Sequence, residues 1–160
     1  MAATFQFSQS NGAGQTKTDV GSGAGGNYWN FKNADTASAA DYTSNPITAG
    51  NLSYGVYIQG HFTGTFNLIS NIKFWASTLS LTGYGTGALI SAAKIVPGSY
   101  ATPSTVDTAD ATVPTTEGTA LLPAYATNFS DYIRMQLETV ADASPGDGGT
   151  TTFTYKYDEQ

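Results

Sequence analysis

Stretches in which apolar and polar residues alternate recur along the chain, and the last two are the most regular. Over residues 131–137, Ile133, Met135 and Leu137 fall on one side of an extended backbone, while Tyr132, Arg134 and Gln136 fall on the other. Over residues 151–157, Phe153, Tyr155 and Tyr157 oppose Thr152, Thr154 and Lys156. A side-chain period of two is that of a β-strand with one buried face. Between the two runs, Pro145-Gly146-Asp147-Gly148-Gly149 is turn material, because glycine enters positive φ without a Cβ penalty. This pattern predicts that the chain closes with an antiparallel pair.

Weaker signals of the same kind fill the rest. Phe5-Gln6-Phe7 predicts a short first strand. Residues 8–27 are rich in Ser, Gly and Asn, with Gly12, Gly14, Gly21, Gly23, Gly25 and Gly26, and read as a flexible arm or long loop. Tyr28-Trp29-Asn30-Phe31 predicts the next strand, and residues 35–46 read as a loop ending in the Asn45-Pro46 turn signal. Alternating runs at 54–58, 62–68 and 72–75 are separated by Gly60 and by Ser70-Asn71. That is close to the spacing of about 8–12 residues found in sandwiches and barrels. Gly83, Gly85 and Gly87 break Leu79-Ser80-Leu81 from Ala88-Leu89-Ile90. No window sustains a helical period, and the best helical candidate, residues 34–40, has few large apolar side chains to dock it.

Residues 97–128 change character, with Pro97, Pro103, Pro114 and Pro123 among many Thr and Ala. Proline cannot donate to a ladder, so this stretch is expected to be a long loop or edge segment. A connection of that length is usually functional or disordered, and here it is expected to lie along a neighbouring subunit.

Composition narrows the function classes. The 160 residues make one domain the default, large enough to bury a real core, and ten Tyr, eight Phe and two Trp give it material. Charged residues are 11% of the chain, against roughly 25% in ordinary globular domains. Such a polar but weakly ionic surface is common in extracellular and virion proteins. With a net charge of -6 and six basic residues spread singly, the chain has no basic stripe to neutralise phosphates, so no nucleic-acid partner is expected. Its longest apolar stretch, residues 120–126, is interrupted by Pro123 and falls short of a membrane span, so no membrane partner is expected either. The start, Met1-Ala2-Ala3-Thr4, lacks a secretory pattern, which points to synthesis in the cytoplasm. The absence of cysteine excludes disulfides and thiolate metal sites.

Candidate chemistry is sparse. His61, the single histidine, has no nucleophile that the sequence can place beside it, and reads as a half-buried structural imidazole at a strand start. Asp107, Asp110 and Glu117, and separately Asp142 and Asp147, form acidic loops that match no EF-hand pattern and read as solvated charge. Gly83-Tyr84-Gly85-Thr86-Gly87 lacks the Lys-Ser/Thr of a phosphate cradle and reads as a flexible hairpin tip. No catalytic, cofactor or metal residue is assigned. Ile72-Lys73-Phe74-Trp75 shows aromatic or apolar side chains on both sides of one short strand, which fits a doubly covered sheet or a subunit contact. The candidate interface residues are Trp29, Trp75, Tyr84, Tyr100, Pro103 and Pro114.

The order of these segments resembles that of small virion proteins of tailed bacteriophages. The likeness runs through an Asn-Tyr-Trp-Asn-Phe-Lys-Asn-Ala-Asp segment at 27–35, Asn45-Pro46-Ile47, and the stretch 62–75 that ends in Lys73-Phe74-Trp75. It continues through the 83–87 loop, Tyr-Ala-Thr-Pro at 100–103, Ser130-Asp131-Tyr132-Ile133 with Gln136, and Tyr157-Asp158-Glu159. The resemblance implies a non-enzymatic β-sandwich part of the particle, best matched to a capsid decoration or cement protein. It carries over no catalytic residue. The reading is then an all-β antiparallel β-sandwich, jelly-roll-like or Ig-like, with a short strand and Gly-rich arm over 1–27. Residues 28–160 form one sandwich domain with the long loop 97–128. Its expected partners are the major capsid protein and further copies of itself, as a trimer or other symmetric oligomer, on the capsid surface. Many copies on a symmetric shell would multiply a modest contact. The rival reading is a head- or tail-surface module that grips host glycans through aromatics such as Tyr84 or Tyr100.

Overall fold

A computed structural model describes residues 3–20, 29–37, 43–96, 100–106, 112–118, 122–144 and 149–160, with backbone alone for 92–96. Seven strands are formed: β1 (Thr4–Asn11), β2 (Thr16–Val20), β3 (Val56–Thr63), β4 (Ile69–Thr78), β5 (Leu89–Val96), β6 (Tyr132–Glu138) and β7 (Thr152–Glu159). All pair antiparallel, in a five-stranded sheet ordered β2-β1-β3-β6-β5 and a two-stranded sheet of β4 and β7. Among the described residues there is no helix. The protein is all-β, with its core between two sheets.

The alternating pattern sets which side chains meet there. Ile133, Met135 and Leu137 of β6 are buried with Val56, Ile58 and Phe62 of β3 and with Ile69, Ile72, Phe74 and Ala76 of β4. Phe153, Tyr155 and Tyr157 of β7 pack against this cluster from the second sheet. Their rings extend an aromatic seam: Tyr155 stacks on Phe5 at 4.7 Å, and Phe153 stacks on Phe74 at 5.4 Å. The opposite face of the five-stranded sheet is polar yet also buried, with Ser8, Ser10, Gln59 and Gln136 covered. Their amides find carbonyls, as when Gln136 Nε2 donates to Ser53 O at 2.7 Å and Gln59 Nε2 to Ser130 O at 2.6 Å.

Several expectations give way. The two regular runs near the end of the chain do not pair with each other. β6 lies between β3 and β5, buried on both faces, while β7 joins β4 in the other sheet. Alternation marks a half-buried strand but does not choose its neighbour. The expected flexible arm over 8–27 is a hairpin across residues 8–20: β1 continues to Asn11, turns at Gly12 and Gln15 with positive φ, and returns as β2. Its polar residues belong to a sheet because both ladder directions are filled, towards β2 and towards β3. Residues 21–27, the rest of that expected arm, lie outside the described residues, as does Tyr28 of the next expected strand.

Gly60 does not separate strands. It sits inside β3 opposite Phe7, where a Cβ would fall 2.8 Å from the Tyr155 hydroxyl. Ser70-Asn71 likewise lies within β4, at a bulge. Three steps along β4, from Ser70 to Lys73, face two along β7, and Asn71 has φ of 49°. The extra residue lets Ile69 and Ile72, three apart, face the same core. The run at 62–68 is cut at Thr63, where Gly64 with φ of 100° turns the chain. Residues 29–31 form no strand; Trp29 and Phe31 pack on the core from irregular backbone. The helical candidate at 34–40 is non-helical over 34–37, and 38–40 lie outside the described residues.

The described parts of the stretch 97–128 lie against the chain's own sheets. Leu122 and Tyr125 bridge to Ile72 and Ile69 of β4, Thr112 bridges to Ser91 of β5, and Val113 and Leu122 are buried. Proline cannot donate, but its carbonyl accepts, and Ala76 N donates to Pro114 O at 2.8 Å. The first and last described segments also touch: Ala3 N donates to Glu159 Oε2 at 2.9 Å.

Candidate functional site

The outer face of the β4–β7 sheet brings together two of the six candidate interface residues. With Ile72, Phe74 and Ala76 turned inward, Lys73 and Trp75 stand outward. Their cross-strand neighbours on β7 are Lys156 and Thr154. Trp75 is half-buried on this face, and exposed Pro114 lies beside β4 through the Ala76 hydrogen bond.

Lys73 and Lys156 are like charges directly opposed across a strand pair, an arrangement that is unfavourable on its own. A single carboxylate oxygen resolves it. Glu117 Oε1 accepts from Lys73 Nζ at 2.7 Å and from Lys156 Nζ at 2.9 Å. These hydrogen bonds, the Lys73 one first, hold the Glu117 carboxyl below its ordinary pKa. Glu117 reaches the pair from a strap, residues 112–118, fixed at its start by buried Val113, whose N–H donates to Ile90 O at 2.8 Å. From Pro114 to Gly118 the strap is exposed. All three ionic side chains stay accessible, at 19% for Lys73, 39% for Glu117 and 54% for Lys156.

The other candidate interface residues are placed elsewhere. Trp29 lies half-buried at the seam between the sheets, edge-on to Phe7 at 5.1 Å and against Phe153 at 5.4 Å. Tyr100 sits on the opposite face of the molecule, with its ring 5.0 Å from Tyr57 and 5.8 Å from Tyr132. Its hydroxyl donates to Gly12 O at 2.9 Å, and burial, then the Asp35 carboxylate, push its pKa well above the ordinary tyrosine value. Pro103 is buried in the same segment, next to Ser104, whose carbonyl accepts from Gly55 N. Tyr84 packs on the core at the rim of the 83–87 loop.

That loop is not a loose tip. Val140 N donates to Tyr84 O and Ser144 N to Gly83 O, while Asp142 Oδ1 accepts from Thr86 N at 3.1 Å. Gly85 has φ of 99°, and a Cβ there would fall 2.1 Å from Val140 Cγ2, so the docked loop needs glycine.

His61 is held between Asp19 and Phe129. Its Nδ1 lies 2.9 Å and 3.0 Å from the two Asp19 carboxylate oxygens, and its ring stacks on Phe129 at 4.4 Å. Lys17 Nζ sits 3.9 Å from the centre of the same Phe129 ring. Of the acidic loops, Glu117 is committed to the lysines and Asp142 to Thr86, whereas Asp107, Asp110 and Asp147 lie outside the described residues. Among the described residues no three side chains of metal-ligating type gather.

Sequence reasoning missed the Lys73–Glu117–Lys156 group. Lys156 occupies the polar side of an alternating run, which was legible, whereas Lys73 shares its side with Trp75 in a run read as apolar or aromatic on both sides. Their meeting depends on the β4–β7 register and on the course of the strap, which no local pattern encodes. Compared with protein-family models, curated proteins and solved structures, the chain matches none.

Proposed function

We propose that this protein is a non-enzymatic structural component of a tailed-phage virion. In this reading it is a decoration protein of jelly-roll-like or Ig-like type that docks on the outside of the major capsid shell and stabilises it. The supporting observation is the outer face of the β4–β7 sheet. Strand pairing, the bulge at Asn71 and the strap hold Trp75, Pro114, Lys73 and Lys156 on one open face. An aromatic anchor on a rigid sheet, rimmed by polar groups, is the anatomy of a docking surface. The weakly ionic composition agrees with recognition by shape, and association into symmetric oligomers would add avidity on a repeating shell.

The rival glycan reading named Tyr84 and Tyr100, and both rings are packed against neighbours in this fold. Trp75 remains its described candidate.

The test is to add purified protein to phage shells that lack it and to measure bound copies and heat resistance. Wild-type protein is expected to coat the shells and raise the temperature at which they open. Trp75→Ala is expected to weaken coating by roughly 30-fold, the cost of about 2 kcal/mol for truncating an interface aromatic. Shells that neither bind the protein nor gain resistance would refute this role.

A further inference from the structure

The Lys73–Glu117–Lys156 group says more about that face. Two ammonium groups converge on one oxygen of one carboxylate, so the pair is pre-arranged for a carboxylate at that point. The present occupant is tethered lightly. Val113 at 2% exposure, with the Ala76 N–H to Pro114 carbonyl hydrogen bond beside it, and Leu122 at 4% anchor the flanks of its segment, while residues 115–118 between them are exposed. Glu117 can therefore swing out without disturbing either anchor. An exposed ion pair of this kind is weak, because water and salt compete for both partners.

We propose that Lys73 and Lys156 form a carboxylate fork which Glu117 occupies in the free molecule, and that an acidic segment of a partner protein replaces Glu117 on docking. This inference rests on the reading of the β4–β7 face as a docking surface and names the chemistry it recognises. Charge complementarity selects the occupant. The chain as a whole carries a net charge of -6, but this face gathers two of its six basic residues, while Asp158 two residues from Lys156 accepts from Asn71 Nδ2 at 3.0 Å. Loss of Glu117 from the fork leaves two uncompensated cations facing each other, which an incoming carboxylate neutralises. Trp75 lies two residues from Lys73 on the same side of β4, so it offers an apolar contact beside the charged one.

The internal carboxylate makes the test sharp, because removing it should strengthen binding. A synthetic polyglutamate peptide is titrated into wild-type protein, Glu117→Gln and Lys156→Gln at low salt. Polyglutamine and the carboxylated polysaccharide polygalacturonate serve as comparison ligands. Glu117→Gln is expected to bind polyglutamate about two- to fivefold more tightly than wild type, the gain available from releasing an exposed internal competitor. Lys156→Gln is expected to bind it at least about threefold more weakly, and added salt to abolish binding. Thermal unfolding of both variants should stay near wild type, since both side chains are exposed. Binding unchanged in Glu117→Gln or in Lys156→Gln would overturn the fork. Preference of Glu117→Gln for polygalacturonate would overturn the protein occupant. Shell coating by wild type with no polyglutamate binding defeats the fork alone. Polyglutamate binding without shell coating defeats the virion role alone.

Discussion

Gly60 shows how a single residue can mislead at the level of sequence and still be explained by contact. Its place between two alternating runs reads as a break, yet the backbone continues through it as β3. Tyr155, 95 residues further along the chain, brings its hydroxyl within 2.8 Å of where a Cβ would stand. Gly60→Ala is therefore expected to cost about 1–3 kcal/mol, the range for overfilling a core, in urea unfolding. Tyr155→Phe should recover part of that loss in the double variant. Gly85 combines two demands, a positive φ and a Cβ position 2.1 Å from Val140 Cγ2. Gly85→Ala should cost about 2–4 kcal/mol, the sum of left-handed strain and overpacking. Buried hydroxyls give the molecule an alkaline limit. Tyr100, Tyr125 and Tyr155 all have pKa values raised chiefly by burial. The folded state then holds these protons more tightly than the unfolded chain, whose tyrosines ionise near about pH 10. Their contribution is complete below that pH and is lost as pH rises above it, so a pH series of unfolding midpoints should fall on the alkaline side. In Tyr155→Phe that fall should be shallower.

At the scale of elements, periodicity was legible and partnership was not. The residues of β6 and β7 that share the core side were read correctly, although β6, expected to bury one face, is buried on both. The choice of neighbour depends on distant chain: β6 finds β3 and β5, and β7 finds β4. The N-terminal hairpin was illegible for a related reason. Ser8, Gln9 and Ser10 carry no apolar signal, yet they belong to a strand that pairs with both β2 and β3, and all three are buried. Removing residues 1–20 would uncover that edge of β3 and the face of Phe62. Such a truncation is expected to lose the cooperative thermal transition, whereas a dispensable arm would leave it intact. The strap carries its own signature. Because the lysines lower the pKa of Glu117, its contribution is present above the ordinary carboxylate range and is lost as pH falls through the lowered value. Glu117→Gln should remove that small acid-side slope from the stability profile, and leave the alkaline one unchanged.

For the whole molecule, the two sheets are unequal, and the smaller joins segments far apart in the chain. β4 and β7 are separated by β5, β6 and the strap, so the second layer forms only after long-range closure. Non-local pairing of this kind slows folding. Both sheets also receive material from the first and last described segments, and the Ala3 N–H to Glu159 carboxylate contact brings those segments to one spot on the surface. Glu159 falls on the same side of β7 as Tyr155 and Tyr157, which pack on the core, and so away from the outer face that carries Trp75. A circular permutant that splices residue 3 to residue 159 through a short linker, and opens elsewhere, should therefore keep both layers. A cargo fused at that same corner would ride beside the sandwich and leave the Trp75 side clear.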